Sequence, residues 1–310
     1  MKFNFENLNP IRIDKYLAKI LKQKLTRSKI NNLIKNNFLF IDSKLVNKSS
    51  HIIKGNGLIE INDSFFEKNN QEKLNKWNNK KLIDIIFETD DYIVINKPSN
   101  LSVYPGNGNS DYTLVNILIS MGKELSNINT KRPGIVHRID KNTSGLIIIA
   151  KNNKFSNYLQ KQFQDRKIYK EYLAIINGNL QAKKGIVDAP IGRNINNRKL
   201  MTVTNKNSKY AITEYEVIER FLNYDYLKII TKTGRTHQIR VHMQYLKTPI
   251  LNDFDYGKKI KENNLNGQFL HASKICFYDY QKNRKCFSAK LPSYFQEQLN
   301  ILKRKKNVKN

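Results

Sequence analysis

The sequence predicts an α+β fold. Segments with the periodicity of strands and segments with the periodicity of amphipathic helices are mixed along the chain, without the strict alternation of βαβ units. At 310 residues, with 39% hydrophobic and 10% aromatic residues, the chain is long enough for a large core and for about two domains. Its 55 Lys and Arg residues outnumber 26 Asp and Glu residues, and the net charge of +29 favours a polyanionic partner, nucleic acid before a membrane surface.

The sequence contains no signal for a membrane-spanning helix, a metal site or a disulfide framework. No apolar run approaches the roughly 20 residues of a membrane-spanning helix, and the first residues lack the apolar stretch of a signal peptide. The five histidines form no HExxH motif, and Cys276 and Cys286 fit neither a disulfide framework nor a zinc-type CxxC pair. We therefore expect a cytoplasmic protein with reduced cysteines, no bound metal and no membrane partner.

Residues 1–62 are expected to form a small basic domain. The segment IRIDKYLAKILKQ has apolar residues at helical spacing, and TRSKINNLIKNN follows with a second apolar face. Residues 38–62 have the pattern of short strands, with turns at Asp42-Ser43 and at Gly55-Asn56-Gly57. Two helices followed by small hairpins, with many basic side chains, are typical of a compact nucleic-acid-binding module.

Three segments of this domain, RIDKYLA, TRSKINNLIKNN and GNGLIEI, carry a family resemblance. They resemble the small alpha-L RNA-binding domain that a small-subunit ribosomal protein shares with tyrosyl-tRNA synthetases. That resemblance implies four candidate phosphate contacts, which would position the protein on RNA without reading its sequence: Arg12, Lys15, Arg27 and Lys29.

The rest of the chain is expected to contain a linker over 63–80, a larger domain over 81–300 and a disordered basic tail over 301–310. The loop GNGNSDYT starts like a dinucleotide-binding loop but lacks the third glycine, so we expect no nucleotide cofactor. A helix is predicted over KFSNYLQKQFQDRK and a strand over IYKEYLAIINGNL. The segments TEYEVIERF and DYLKIITKT alternate like paired strands.

The segment PGIVHRIDKNTSGLIIIAK joins a polar turn to an apolar run that is typical of a buried strand. The turn holds His137, Arg138 and Asp140 at the entrance to the predicted core. Ser144 lacks the GxSxG context of a hydrolase nucleophile. We interpret His137 as a hydrogen-bonding residue of the turn rather than as a chemical group.

The segment TGRTHQIRVHMQYL predicts a tight turn followed by a helix. Ile239, Met243 and Leu246 would face the core, and Arg240 would lie on the opposite face, where we expect it to contact RNA. Arg235 lies in the turn before the helix, where a guanidinium is well placed to bind a carboxylate or a phosphate.

Four blocks, HRIDKNTSGL, KEYLA, TGRTHQIRVH and FLHASKICF, occur in this order after DYIVINKPSNLSVYPG. Together they resemble the RluA-type RNA pseudouridine synthases, and with the alpha-L-like domain in front they are most similar to the RluC and RluD branch, which acts on large-subunit ribosomal RNA. The resemblance extends from about Arg12 to Pro292. It implies the pseudouridine synthase fold, with a mixed, largely antiparallel central sheet and flanking helices.

The resemblance also implies roles for individual residues. Asp140 matches the catalytic aspartate, and Tyr172 matches the tyrosine that lies against the uracil. Arg235 matches the arginine that pairs with the aspartate, and a cation there would keep the carboxylate ionised beneath a base. Arg138 matches the arginine that enters the RNA where the target base leaves. Tyr104 departs from the family pattern, in which a histidine is common at this position.

The sequence therefore predicts an isomerase that acts on specific uridines of large-subunit ribosomal RNA, or of its assembly precursor. Because the base is detached, rotated and rejoined through C5, no cofactor is expected, and we expect a monomer. The alternatives are a non-catalytic RNA-binding or ribosome-assembly factor, a pseudouridine synthase that acts on tRNA, and, with less support, an RNA methyltransferase. Asp140 beside Tyr172 and Arg235 favours an enzyme, since RNA binding alone does not require that carboxylate.

Overall fold

The computed structural model describes residues 1–21, 25, 27–62, 83–105, 112–130, 132–257 and 267–307. The chain divides into two compact units, Met1–Asn79 and Lys80–Asn310. The predicted linker and residues 106–111 of the glycine-containing loop lie outside the described residues.

The first unit combines two helices with a small antiparallel sheet. In chain order its elements are β1 (Lys2–Arg12), α1 (Ile13–Ile20), α2 (Arg27–Lys35), β2 (Leu39–Ile41), β3 (Lys44–Leu45) and β4 (Ile52–Ile61). The strand order is β1-β4-β2-β3. The two predicted helices are confirmed, and they bury the apolar faces that their spacing predicts: Ile13 and Leu17 of α1, and Ile30, Leu33 and Ile34 of α2.

Strand β1 was not predicted. It pairs with β4 in a long-range register that sets Phe3 opposite Ile59 and Lys2 opposite Glu60. The register shifts between Asn7 and Ile11, a stretch that contains Pro10. A proline weakens the local pattern of a strand, because it cannot donate to the ladder, and the pairing depends on residues far away in sequence.

The second unit is built on a large mixed sheet. Its elements are β5 (Asp84–Glu88), β6 (Tyr92–Lys97), α3 (Leu114–Ser120), β7 (Ser144–Ala150), α4 (Asn153–Gln164), β8 (Tyr169–Asn177), β9 (Lys184–Asp188), β10 (Ile191–Arg193), β11 (Met201–Val203), β12 (Ile212–Arg220), β13 (Tyr224–Thr231), α5 (Gln238–Tyr245), β14 (Leu270–Tyr278), β15 (Arg284–Ser288) and α6 (Ser293–Asn307). The predicted helix α4, the strand β8 and the antiparallel pair β12 and β13 are confirmed.

The sheet runs in the order β5-β6-β7-β14-β8-β13-β12-β9, and β15 pairs with β14. Its neighbouring strands are antiparallel except for β7 and β14, which are parallel. The hairpin of β10 and β11 forms a separate two-stranded sheet. This mixture of a largely antiparallel sheet with a few helices confirms the α+β class.

Strand β7 is the apolar run after the polar turn, and each of its residues is buried. Gly145, with φ of +107°, lies where β7 meets β14, and a Cβ atom there would collide with the backbone of Ala272. The glycine therefore permits the close approach of the two parallel strands. As a result, the turn that precedes β7 is anchored at the centre of the sheet.

The C-terminal residues differ from the expectation of a disordered tail over 301–310. Helix α6 continues to Asn307, because Leu299 and Leu302 are buried and Lys303 and Lys306 pair with Glu219 at 3.7 and 3.4 Å. Residues 308–310 lie outside the described residues.

The cysteines also differ from expectation, because Cys276 and Cys286 form a disulfide instead of remaining reduced. The two residues lie directly opposite each other on the antiparallel strands β14 and β15. Cysteine spacing alone did not reveal this register.

Among the described helices, none is long and apolar enough to cross a membrane. The described residues likewise contain no group of three or more His, Cys, Asp or Glu side chains that could hold a metal ion.

Candidate active site

A cavity of about 450 Å³ lies in the second unit, where the turn before β7, strand β8, the end of β13 and the start of α5 meet. Five predicted site residues line it: Arg138, Asp140, Tyr172, Arg235 and Arg240. Asp140 is the single carboxylate among the described residues that line the cavity. The negative charge of the cavity wall is thus confined to one point.

The turn that carries Asp140 is fixed from both sides. His137 Nε2 accepts a hydrogen bond of 2.8 Å from the backbone N–H of Ile148 in β7, and its ring stacks on Phe163 with 4.9 Å between centroids. Burial, with a smaller contribution from the charge of Lys170, lowers the pKa of His137 to about 3, so the ring stays neutral and can accept. The predicted hydrogen-bonding role of His137 is confirmed.

Lys97 fixes the other side of the turn, and sequence reasoning missed it. Its side chain is fully buried at the end of β6, and Nζ donates to the carbonyls of Pro98 (2.7 Å), Leu101 (2.9 Å) and Lys141 (3.1 Å). Burial lowers the pKa of Lys97 to about 7, and the charge of Asp140 opposes that shift. The signal was a lysine at the end of an otherwise apolar strand, where an ammonium group needs a specific set of acceptors.

Asp140 pairs with Arg240, not with Arg235 as predicted. Arg240 Nη1 lies 3.2 Å from Asp140 Oδ2, and the Asp140 side chain is 15% exposed. Arg235 instead donates from Nε to the backbone carbonyl of Tyr210 at 2.8 Å. Both arginines belong to the TGRTHQIRVH block, but side chains on a helix lean toward its N-terminus, which directs Arg240 back to Asp140. The predicted ion pair of Arg235 was therefore wrong.

Arg240 was also expected on an exposed helix face, and this was wrong as well, since the residue is 5% exposed. Its Nε and Nη2 bond both oxygens of the fully buried Asp253 at 2.7 Å, and Nη2 also lies 2.6 Å from Asp255. Burial would lower the pKa of Arg240, but the hydrogen bonds to Asp253 and the charges of Asp140 and Asp253 outweigh it and raise the pKa. Two aspartates within NDFDYG, in a chain poor in acids, were the missed signal.

Tyr172 lines the same cavity from strand β8. Burial, and then the charge of Asp140, raise the pKa of its phenol to about 12, although a hydrogen bond with Thr231 acts in the opposite direction. The phenol is therefore protonated near neutral pH. Asp140 lines the same cavity, so the structure places the carboxylate and the phenol in one site.

Arg138 lies exposed on the turn, two residues before Asp140. Its Nη1 donates a hydrogen bond of 2.5 Å to the phenol oxygen of Tyr104, and the guanidinium of Arg132 stacks on the same ring at 4.2 Å from its centroid. The tyrosine that departs from the family pattern thus holds Arg138 at the entrance of the cavity.

His237 is a further cavity residue to which sequence reasoning gave no role. It begins α5 in a left-handed conformation, with φ of +56°, and its Nε2 lies 4.0 Å from Asp140 Oδ1. Its Nδ1 lies 2.8 Å from the phenol oxygen of Tyr256, which accepts from the backbone N–H of Met201 at 2.8 Å. Burial lowers the pKa of His237, which favours the neutral imidazole.

The predicted RNA contacts of the first unit divide into two kinds. Arg12 is held by Asp14, with Nε–Oδ1 and Nη2–Oδ2 distances of 3.0 Å, and Asp14 is buried. Lys15 is exposed. The side chains of Arg27 and Lys29 lie outside the described part of the chain.

Comparison with known proteins identifies the family. The family described as RNA pseudouridylate synthase matches residues 91–245. The RNA pseudouridine synthase YlyB of Bacillus subtilis (strain 168), which carries the label uncharacterized, is 36% identical over 296 residues, which cover 94% of each chain. The ribosomal large subunit pseudouridine synthase D of Buchnera aphidicola subsp. Baizongia pistaciae is 38% identical over 279 residues, covering 86% of this chain and 85% of that protein.

A solved structure points the same way. Human RNA pseudouridylate synthase domain containing 1 matches with a TM-score of 0.57 and 25% identity, over 70% of this chain and 86% of the human chain. This likeness confirms the predicted pseudouridine synthase fold. A chain with these relatives, and with the four sequence blocks gathered around one cavity, belongs to the RNA pseudouridylate synthase family.

Proposed function

We propose that the protein converts specific uridines of large-subunit ribosomal RNA into pseudouridine, with Asp140 as the catalytic residue. The observation that carries this proposal is the position of Asp140, which is fixed by Arg240 in a cavity that Tyr172 also lines. Several relatives named ribosomal large subunit pseudouridine synthase D, such as those of Borreliella burgdorferi and Haemophilus influenzae, support large-subunit ribosomal RNA as the substrate.

The target uridine reaches Asp140 by leaving the base stack. Flipping a nucleotide out of structured RNA costs a few kcal/mol. Stacking of the base on Tyr172 would return about 1–3 kcal/mol of this cost. Arg138, exposed at the entrance of the cavity, would occupy the gap that the base leaves in the RNA.

The reaction needs a group that can act on the sugar or on the base. The N-glycosidic bond between N1 and C1′ breaks, the detached uracil turns while it is still bound, and C5 forms the new bond to C1′ of the ribose. C5 then loses its proton and N1 gains one, so the atoms balance. A carboxylate can serve as nucleophile or can stabilise positive charge that develops on the sugar, as it does in glycosidases. Nothing is oxidised and no group is imported, so the protein would work without a cofactor.

Arg240 would keep the negative charge of Asp140 stable when the base covers it. Desolvation by a bound base disfavours a carboxylate, and a fixed cation 3.2 Å away opposes that effect. Because Asp253 and Asp255 hold Arg240 in place, the guanidinium does not need to reorganise during the reaction. Tyr172, whose phenol pKa is raised to about 12, would contribute its ring rather than act as a base in the free enzyme.

The first unit would add electrostatic affinity for ribosomal RNA or its assembly precursor through exposed cations such as Lys15. We expect the protein to act as a monomer in the cytoplasm, where ribosomal RNA is assembled into ribosomes.

The decisive experiment is to map pseudouridines in ribosomal RNA from cells with and without the gene, and from cells that carry Asp140→Asn. We expect specific sites to disappear in the deletion strain and in the Asp140→Asn strain. With a purified RNA fragment, Asp140→Asn should lower turnover by about 10⁴-fold or more, in the range seen when a catalytic side chain is removed. Normal turnover by this variant would overturn the proposal.

A further inference from the structure

Part of the cavity wall carries positive charge that no carboxylate balances. Lys170 of β8 and Arg235 of the loop after β13 both line the cavity. Among the described residues, neither side chain has a carboxylate within ion-pair distance. We refer to Lys170 and Arg235 together as the cationic wall.

Two carboxylates on the strands that carry or adjoin the cationic wall are engaged elsewhere. Glu171 follows Lys170 on β8 and therefore lies on the opposite face of the sheet, where it accepts a hydrogen bond of 2.9 Å from the phenol of Tyr169. Glu214 of β12 pairs with Lys232 at 3.1 Å. Neither carboxylate neutralises the wall.

Backbone carbonyls hold both cations in place. Lys170 Nζ donates to the carbonyl of Thr233 at 2.9 Å, and Arg235 Nε donates to the carbonyl of Tyr210 at 2.8 Å. The two Nη groups of Arg235 have no hydrogen-bond partner among the described residues. Gly234 lies beside Lys170, because a Cβ atom at this glycine would come within 3.7 Å of Lys170 Nζ.

Such an arrangement is unfavourable without an anion. Burial, and then the charge of Arg235, lower the pKa of Lys170 to about 8. A bound anion would offset both effects. Its negative charge stabilises the charged form of the lysine and reduces the repulsion between the two cations. Oriented N–H donors with unused hydrogen-bonding capacity, set around an open space, are typical of an anion site.

We infer that Lys170 and Arg235 form a subsite for a phosphate group of the RNA chain, beside the nucleotide that enters the cavity. Lys170 and Tyr172 lie on the same face of β8, two residues and about 6.6 Å apart, which is comparable with the reach from base to phosphate within a nucleotide. A guanidinium fork together with an ammonium group suits phosphate oxygens. Arg235 would thus bind RNA instead of pairing with Asp140.

This phosphate belongs to the RNA substrate, so the subsite depends on the proposed function. Binding and conversion can nevertheless be measured separately. If the wild-type protein binds ribosomal RNA fragments but forms no pseudouridine in them, the proposed function fails. If conversion occurs and the cationic wall does not affect binding, the phosphate subsite alone fails.

The first experiment measures the affinity of full-length variants for a ribosomal RNA fragment that contains a target uridine, one that the wild-type protein converts. Lys170→Met and Arg235→Met should each weaken binding by about tenfold or more, because each removes a charge-assisted hydrogen bond. Lys232→Met is the matched control, since Lys232 also lines the cavity but is paired with Glu214. Lys170→Arg should restore most of the affinity. Affinities of Lys170→Met and Arg235→Met equal to that of the control would overturn the inference.

The second experiment locates the phosphate. Methylphosphonate linkages, which carry no charge, are introduced one at a time on either side of the target uridine. In the wild-type protein, one linkage should weaken binding by about tenfold, whereas in Lys170→Met the same linkage should have little further effect, because the two changes remove the same contact. If every methylphosphonate linkage weakens binding in Lys170→Met by the same factor as in the wild type, the lysine does not contact these phosphates. Should Lys170→Met fail to fold, Arg235→Met provides the same comparison.

Discussion

Two parts of one cavity treat positive charge in opposite ways. At the start of α5, Arg240 is 5% exposed and contacts three carboxylates, those of Asp140, Asp253 and Asp255. In the cationic wall, Lys170 and Arg235 contact backbone carbonyls and no carboxylate among the described residues. Arg235 and Arg240 come from the same sequence block and are only five residues apart.

The contrast distinguishes a cation that stabilises the protein from a cation that is available to bind an anionic ligand. A buried guanidinium surrounded by carboxylates is already neutralised, so it can hold Asp140 but has little capacity left for RNA. An unbalanced cation is less favourable in the free protein and gains most when an anion arrives. Charge balance, rather than residue type, therefore distinguishes the two roles.

The largest expected effect on stability is at Arg240. Arg240→Met should lower the free energy of unfolding by about 3–5 kcal/mol, because it leaves the carboxylate of Asp253 buried without its partner. Arg235→Met is the matched control and should cost less than about 1 kcal/mol, since it breaks no ion pair. Urea unfolding measures both values. Equal losses of unfolding free energy in the two variants would contradict the contrast between Arg240 and Arg235.

Tyr172 lines the same cavity, and its ring should matter for RNA affinity. Tyr172→Leu should weaken binding of a fragment with the target uridine by about 1–3 kcal/mol, the contribution of one stacked base. Tyr172→Phe keeps the ring and should bind like the wild type, so its turnover isolates any contribution of the hydroxyl. If Tyr172→Leu binds as tightly as Tyr172→Phe, the base does not stack on this residue.

The pH dependence of RNA affinity should identify Lys170. Its pKa is lowered to about 8, so the wild-type protein loses this charge as the pH rises from 7 to 9, and its affinity should fall by up to about tenfold. His137, which lies near Lys170, does not change charge in this range, because its pKa is about 3. Lys170→Arg should show no such fall. A fall of the same size in Lys170→Arg would assign it to another group.

The same shift has a consequence for stability. Because the folded state binds the proton of Lys170 more weakly than the unfolded state, the charged lysine destabilises the fold at neutral pH. This cost disappears as the pH rises from about 8 toward the ordinary lysine value of 10.5. Lys170→Met should therefore be relatively more stable than the wild type at pH 7, and the advantage should shrink at pH 10.

The smallest effect on RNA binding is expected in the first unit. Here too, one cation is paired with a carboxylate and another is not. Lys15 is exposed and has no carboxylate partner among the described residues, whereas Arg12 is paired with the buried Asp14. Lys15→Gln should reduce the slope of log affinity against log salt by about 0.7, the value for one phosphate contact on single-stranded RNA. Arg12→Gln should change this slope less and lower the stability of the first unit more. The opposite ranking would contradict these assignments.

Local sequence patterns and the family resemblance predicted much of the site. The polar turn before an apolar strand indicated Asp140, and the resemblance of the four blocks implied that Tyr172 belongs to the same site. Sequence could not determine which arginine of TGRTHQIRVH reaches the carboxylate, because the left-handed backbone at His237 and the direction of α5 decide it. Asp253 was missed because its contact with Arg240 depends on the tertiary fold.

Long-range register accounts for the other differences. Strand β1 and the disulfide of Cys276 with Cys286 both depend on which residues face each other across a strand pair. Periodicity identifies strands but does not specify their partners. Residues 301–307, the end of α6, were expected to belong to a disordered tail because their lysines suggested solvent, whereas Leu302 is buried.

The ammonium group of Lys97 holds the turn that carries Asp140 through main-chain oxygens alone. Because these bonds are made to the main chain, they do not depend on the exposed side chain at position 141, which can change without loosening Asp140. Related enzymes could in this way acquire new RNA targets by changing the residues around the turn, while the carboxylate keeps its place.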